Sequence, residues 1–432
     1  MTPLAHGIGA RGDLPLSVGT LAVVAGAALF VSFAALLAGW KEPRLAGIAK
    51  GRPVFTVSSG AALSVTGITR IAGALAVGVS LWSALFVEDS TVENIAPRMV
   101  YVLFWIVIPL SSVIFGDLWR LFSPFEAIAA LTKKFRHAQP IVKNSQSLYG
   151  AAFFLLLFLW LELSFHRPAG RTPLAIMLIV WIGWCSQGAV RGGTTWLGNN
   201  DPLAVLTRLM SSVSCFTVRK NRLVVRRPIV GLAEVPTQRG LAAVVLVVLG
   251  GTSFDGLSRT DWWTSLISGK MDWARTLVNT LGLLFVTALI ISLFLGAVRL
   301  MQRKDENSDP MFEDGFAVSL IPVLIGYGVA HYFSMAIFEG QFLLIQASDP
   351  FGFGWDLLGT RTSYVNYRLV SSTTIAAVQA SGIIAGHIAG VVVGHDRALE
   401  SLRKRESLAA QLPLVALLVA LTIIALLLLV EA

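Results

Sequence analysis

Ten apolar stretches punctuate this chain, and its Lys and Arg residues fall mainly into every second gap between them. The stretches are Leu21–Gly39, Ile71–Val87, Met99–Phe115, Tyr149–Phe165, Leu174–Val190, Leu241–Phe254, Leu277–Val298, Phe316–Ala347, Val370–Gly394 and Leu408–Val430. About 20 apolar residues cross a hydrocarbon core, so most are long enough and only Leu241–Phe254 is marginal. With the N-terminus outside, the odd-numbered connections hold 25 of the 34 basic residues and the remaining segments hold 9. Basic residues are retained on the cytoplasmic side. The pattern predicts an all-α, polytopic transmembrane bundle of about ten spans, with both termini outside.

On this reading residues 1–432 form a single integral membrane domain. Spans 1–3 occupy 16–115, spans 4–5 occupy 149–190 and spans 6–10 occupy 241–432. Cytoplasmic connections fill 116–148 and 191–240. A hydrophobic fraction of 55% with only 14% charged residues does not suit a soluble fold of this length. The net charge of +9 is spread over five cytoplasmic connections, where anionic headgroups account for it. The expected partner is the lipid bilayer, not nucleic acid. The first stretch, preceded by Arg11 alone and long enough to span, does not read as a signal peptide. Cys185 and Cys215 are expected to be reduced and unpaired.

Two connections carry amphipathic starts. Ser123-Pro124-Phe125-Glu126 has the form of a capping box, and Phe122, Phe125, Ile128 and Phe135 share a face ending in Lys133, Lys134 and Arg136. This predicts a short interfacial helix. Asp201-Pro202, followed by Leu203, Leu206, Leu209 and Met210, is a similar start in the equivalent place two spans later. The outside connections hold the acids Glu88, Asp89, Glu93, Asp255, Asp261, Asp272, Asp349 and Asp356. Beside them Trp262, Trp263, Trp273 and Trp355 suit an interfacial aromatic belt. The last stretch is plain Leu, Ile, Val and Ala after Thr422 and reads as a lipid-facing wall.

The ninth stretch is the most unusual. Gly382, Gly386, Gly390 and Gly394 recur every four residues, and Gly326, Ala330 and Ser334 do the same in the eighth. Small faces of this kind let helix backbones approach closely. A His follows a small residue in each, His331 after Ala330 and His387 after Gly386, so antiparallel packing would bring both imidazoles toward one crevice. Glu339 lies two turns beyond His331, and His395 two turns beyond His387 with Asp396 at the cytoplasmic edge. Ionisable groups inside a bilayer are functional candidates by default. The structural alternative is that both imidazoles are neutral and hydrogen-bond across helices. Glu162 and His166, four apart, share a helical face, and with Glu339 and Gln379 they would line an outward cavity. Asp117 is expected to pair with Arg120 or cap backbone, and Asp255 to cap the short sixth span. The Gly7–Gly12 run matches G-x-G-x-x-G only formally, with no strand before it.

Several motifs resemble a bacterial, largely actinobacterial, family of multispanning proteins labelled fenitrothion hydrolases. They are Phe115-Gly116-Asp117-Leu118-Trp119-Arg120 with Ser123-Pro124-Phe125; Asp201-Pro202-Leu203-Ala204-Val205; and Ser253-Phe254-Asp255-Gly256. In the same order come Ser348-Asp349-Pro350-Phe351-Gly352 with Gly354-Trp355-Asp356-Leu357, then Gly386-His387-Ile388-Ala389-Gly390 with His395-Asp396-Arg397-Ala398-Leu399. The resemblance implies hydrolysis of apolar organophosphorus triesters in the bacterial cytoplasmic membrane. A divalent metal would then lower the pKa of water, with His331 and His387 as ligands and Glu339 as third ligand or base. Two other classes fit the same residues. A transporter would use the intramembrane His and Glu for protons or substrate, and a non-catalytic scaffold would bind a membrane partner or a second copy.

Overall fold

Lipid offers the backbone no hydrogen-bond partners, so an apolar stretch in it must close its bonds within itself. The structure is a computed structural model and describes residues 18–56, 58–90, 92–135, 147–219, 221–302, 311–402 and 407–431. The Gly7–Gly12 run and Arg136 lie outside those residues. All ten apolar stretches fold as helices over most of their length. In chain order the elements are α1 (Val18–Gly39), β1 (Arg52–Thr56), α2 (Ser59–Phe86) and α3 (Ala96–Phe115). Then come α4 (Leu118–Phe122), α5 (Pro124–Leu131), α6 (Tyr149–Leu163), α7 (Arg171–Asn200), α8 (Pro202–Ser211), β2 (Phe216–Arg219) and β3 (Arg222–Val225). The chain continues through α9 (Leu241–Ser258), α10 (Asp261–Ile267), α11 (Asp272–Gln302), α12 (Phe312–Gln346), α13 (Ser372–Ser401) and α14 (Ser407–Glu431).

Among the described residues, eight helices are long and apolar enough to cross a membrane: α2, α3, α7, α9, α11, α12, α13 and α14. The chain is an all-α polytopic bundle. The sixth stretch is not the weak one, because α9 runs on through Asp255 to Ser258 and is buried over most of its length. The short helix is α6, whose 15 residues rise about 22 Å against a core of about 30 Å.

Two spans bend for local reasons. Residues Met99–Val107 of α3 form a widened π-helical segment just before Pro109, whose ring and missing N–H disturb the preceding turn. In α7 the chain turns at Gly193, where φ is 67°.

The connections hold structure that the apolar pattern did not announce. β1, β3 and β2 form a small antiparallel sheet, in that order, from two connections distant in sequence. The expected capping box does not close: Ser123 precedes α5 without a side-chain cap bond, and Glu126 lies 3.7 Å from Arg70 instead. Nor does α5 lie free at an interface, since Phe125 is buried edge-on to Trp181 of α7. The last helix is more than a lipid-facing wall: α14 packs on α1, α11 and α13, burying Leu414, Leu418, Leu421 and Leu426. Of the four belt tryptophans, Trp262, Trp273 and Trp355 are exposed, but Trp263 turns inward and donates to Asn279.

The two glycine-faced helices meet as expected. α12 and α13 make the most extensive helix pairing in the molecule. A Cβ on Gly386 would lie 2.5 Å from the carbonyl oxygen of Pro322, and one on Gly326 would lie 2.5 Å from that of Gly382. Gln379 reinforces the seam by donating to the Ala330 carbonyl at 2.7 Å.

Candidate functional site

Near the end of the bundle that carries Asp261 and Asp272, here the acidic end, three helices bring ionisable side chains inward. Asp255 in the last turn of α9 is buried, and Arg259, one turn on, donates to its two oxygens at 2.8 and 2.9 Å. Spacing of four places both on one helical face. Asp255 is thus an ion-pair partner inside a continuing helix, not its cap. His331 of α12 places Nδ1 3.7 Å from Asp255 Oδ2, within ion-pair range but longer than a hydrogen bond. Glu162 in the last turn of α6 lies close enough to feel the charges of Asp255 and Arg259. Its Oε2 is sealed from solvent and has no hydrogen-bond partner among the described residues. Tyr332, beside His331 in sequence, senses the same three charged groups and stands edge-on to Trp105 of α3.

Trp105 lies tilted against Phe158 of α6 at 4.6 Å between ring centres, and both line an apolar cavity of about 70 Å³. The cavity runs from there toward α8, with Phe104, Met177, Trp181 and Leu203 in its walls. Leu155, Phe158 and Glu162 lie three and four apart on α6, so one helical face carries both cavity lining and the carboxylate.

Just behind the far wall, where α7 meets α8, Asp201 accepts from Trp119 Nε1 at 2.8 Å, Trp181 Nε1 at 3.3 Å and the Leu203 amide at 3.1 Å. Burial pushes its carboxyl up to about 6 against the pull of those donors. The two amphipathic starts answer each other, for Thr207 of α8 donates back to Asp117 at 3.0 Å. Asp117 also caps the Arg120 amide, and burial raises its carboxyl too.

The remaining sequence candidates are dispersed. His387 is fully buried, and its Nδ1–H donates at 2.8 Å to the Ile383 carbonyl one turn back on its own helix, not across to a neighbouring helix as the structural alternative expected. His331 and His387 do converge, but on Tyr327, whose ring centre lies 6.2 and 6.0 Å from theirs. Glu339 faces Arg98 at 2.8 Å, and Arg98 also donates to Gln346. His166 lies beyond the end of α6, so it shares no helical face with Glu162. It bonds to Thr276 at 2.9 Å and lies 4.0 Å from Asp272. His395 and Asp396 fold inward from the basic end: His395 bonds to Gln411 and the Trp40 carbonyl, while Asp396 accepts from Trp40 Nε1 and the Arg44 amide. Among the described residues, no three His, Cys, Asp or Glu side chains converge as a metal-ligand set. The donors expected to hold a metal point to different partners: His331 to Asp255, His387 to the Ile383 carbonyl and Glu339 to Arg98.

Sequence reading missed Arg259, Trp105 and Tyr332. The spacing of Arg259 from Asp255 was visible, but the apparent end of the stretch at Phe254 hid the helix that makes it count. The chain matches no family model, no curated protein and no solved structure.

Proposed function

We propose that this chain is a multispanning protein of the bacterial cytoplasmic membrane that hydrolyses apolar phosphorus triesters at the cluster of Glu162, Asp255, Arg259 and His331. Its basic end faces the cytoplasm and both termini lie outside. The motif series resembling the fenitrothion hydrolases supports the substrate class. The observation that carries the reading is the nearness of the cavity to the cluster: Phe158 lines the cavity one turn before Glu162 on α6, and Trp105, also in its wall, stands edge-on to Tyr332, the neighbour of His331. A neutral triester partitions into lipid, and the apolar wall of this cavity suits its alkyl and aryl groups.

Asp255, pinned by Arg259 and 3.7 Å from the His331 ring, supports by its charge the imidazolium that forms there. His331 takes a proton from water as the water oxygen bonds to phosphorus. The bond from phosphorus to the leaving aryl oxygen breaks, and Glu162 supplies the proton to that oxygen. The products are a phosphodiester and a phenol; the proton on His331 returns to Glu162, which restores both groups, and the acidic proton of the diester is released to water. The test is release of p-nitrophenol from diethyl p-nitrophenyl phosphate by the protein in lipid nanodiscs. His331→Asn and Glu162→Gln should each slow turnover by about a hundredfold or more while melting remains cooperative. Absence of turnover by the unaltered protein, or full turnover by both variants, refutes the reading.

One observation favours a second reading, proton-coupled transport. The ring contacts from His331 through Tyr327 to His387 continue the polar line from Asp255 toward the middle of α13. That reading requires proton uptake by reconstituted vesicles without ester turnover, and Tyr327→Phe should abolish the uptake.

A further inference from the structure

The basic end carries an apolar surface that the bundle leaves uncovered. Cross-strand partners in an antiparallel sheet share a face. The pairings Phe55 with Leu223, Val218 with Leu223, and Arg52 and Phe216 with Val225 therefore set five apolar side chains and one Arg on a single face. The opposite face holds Val224, buried against the protein, and Thr217. On the first face Phe55 is 56% exposed and Val218 66% exposed. Lys50, Arg52, Arg222 and Arg227 are exposed around the sheet. Glu234 is the nearby acid and is occupied by Arg219 and Arg226.

The sheet is fixed beside the end of a spanning helix. Ser214, two residues before β2, donates to the Ile114 carbonyl of α3 at 2.8 Å. The carbonyl oxygen of Phe216 lies 3.2 Å from where a Cβ on Gly116 would stand. Ile114 and Phe115, the last residues of α3, are themselves exposed apolar side chains. The sheet thus begins where an exposed apolar helix end stops.

We infer that this sheet is a lipid-binding surface, docking its apolar face at the acyl boundary with its Lys and Arg against anionic phospholipid headgroups. An apolar face ringed by cations is what an anionic bilayer interface selects. The sheet thereby anchors two connections distant in sequence, and its neutral rim variants should loosen it in anionic membranes only.

A nitroxide at Val218→Cys, in a Cys215→Ser background, reads the depth of the sheet face by its access to dissolved oxygen and to an aqueous nickel complex. The full chain is reconstituted in phosphatidylcholine alone and with phosphatidylglycerol added. The label should become oxygen-accessible and nickel-shielded when phosphatidylglycerol is present. Arg52→Gln and Arg222→Gln should each lower the ratio of embedded to free label about fivefold. A label equally open to nickel in both lipids overturns the inference. So does a label shielded equally in detergent and in both lipids, which would mean that protein covers the face. Phe55→Cys on the neighbouring strand repeats the measurement if Val218→Cys does not fold.

Discussion

Replacing Gly386 with Ala tests the seam on which α12 and α13 are built. The added Cβ would stand 2.5 Å from the Pro322 carbonyl oxygen and 3.1 Å from the Gly326 Cα. Ordinary contact begins near 3.4 Å, so the backbones must part by about 0.9 Å. Both obstacles are backbone, and neither can rotate away. A radial gap of that size forfeits roughly a quarter to a half of the dispersion energy of each contact it opens. Overpacking of this kind costs about 1–3 kcal/mol. The intrinsic helix preference of Ala over Gly returns about 1 kcal/mol, so the net loss is about 0–2 kcal/mol, and the two backbone obstacles place it toward the upper end. Gly340, on the same helix as Gly326, has nothing within 4 Å of its Cβ position and gains only the preference. Thermal or denaturant unfolding in nanodiscs should show Gly386→Ala less stable than the natural protein and Gly340→Ala equal or more stable. Equal stability of both variants would refute the close-packed seam.

Asp201 should make stability pH-dependent, because its carboxyl sits at about 6 when folded and near 3.8 when unfolded. Between those values the folded state holds the extra proton, so stability rises as pH falls through 6 and levels off below 3.8, by about 3 kcal/mol at most. Melting curves of Asp201→Asn should lack that part of the slope, and curves parallel to the natural protein from pH 8 to 5 would count against it. The proposed orientation predicts that single cysteines near Arg227 are shielded from impermeant reagents in intact cells while one at Asp261 reacts. The reverse labelling pattern would invert the topology.

Sequence reached furthest where one residue pattern has only one physical solution. An apolar stretch long enough to cross a bilayer closes its backbone bonds within itself as a helix, and a glycine every fourth residue in α13 marks a face where another backbone arrives. The pairing of α12 with α13 and the capping role of Asp117 were legible for the same reason, since each depends on neighbours along one helix or turn. Arg259 was nearly legible, hidden only by where α9 was thought to stop.

Tertiary structure decided the partners of the charged groups. Glu339 could have faced His331, yet Arg98 of α3 claims it from more than two hundred residues away in sequence. His395 and Asp396 read as solvated edge residues until the turn after α1 folds beneath them and supplies Trp40 and Arg44. The sheet joins strands from connections separated by four spans, and no local periodicity encodes that meeting. Helix formation is set by bonds to residues four away, which a sequence displays. The partner of a buried charge is set by which distant helix happens to bring an opposite charge to the same depth, and only the packed bundle contains that distance.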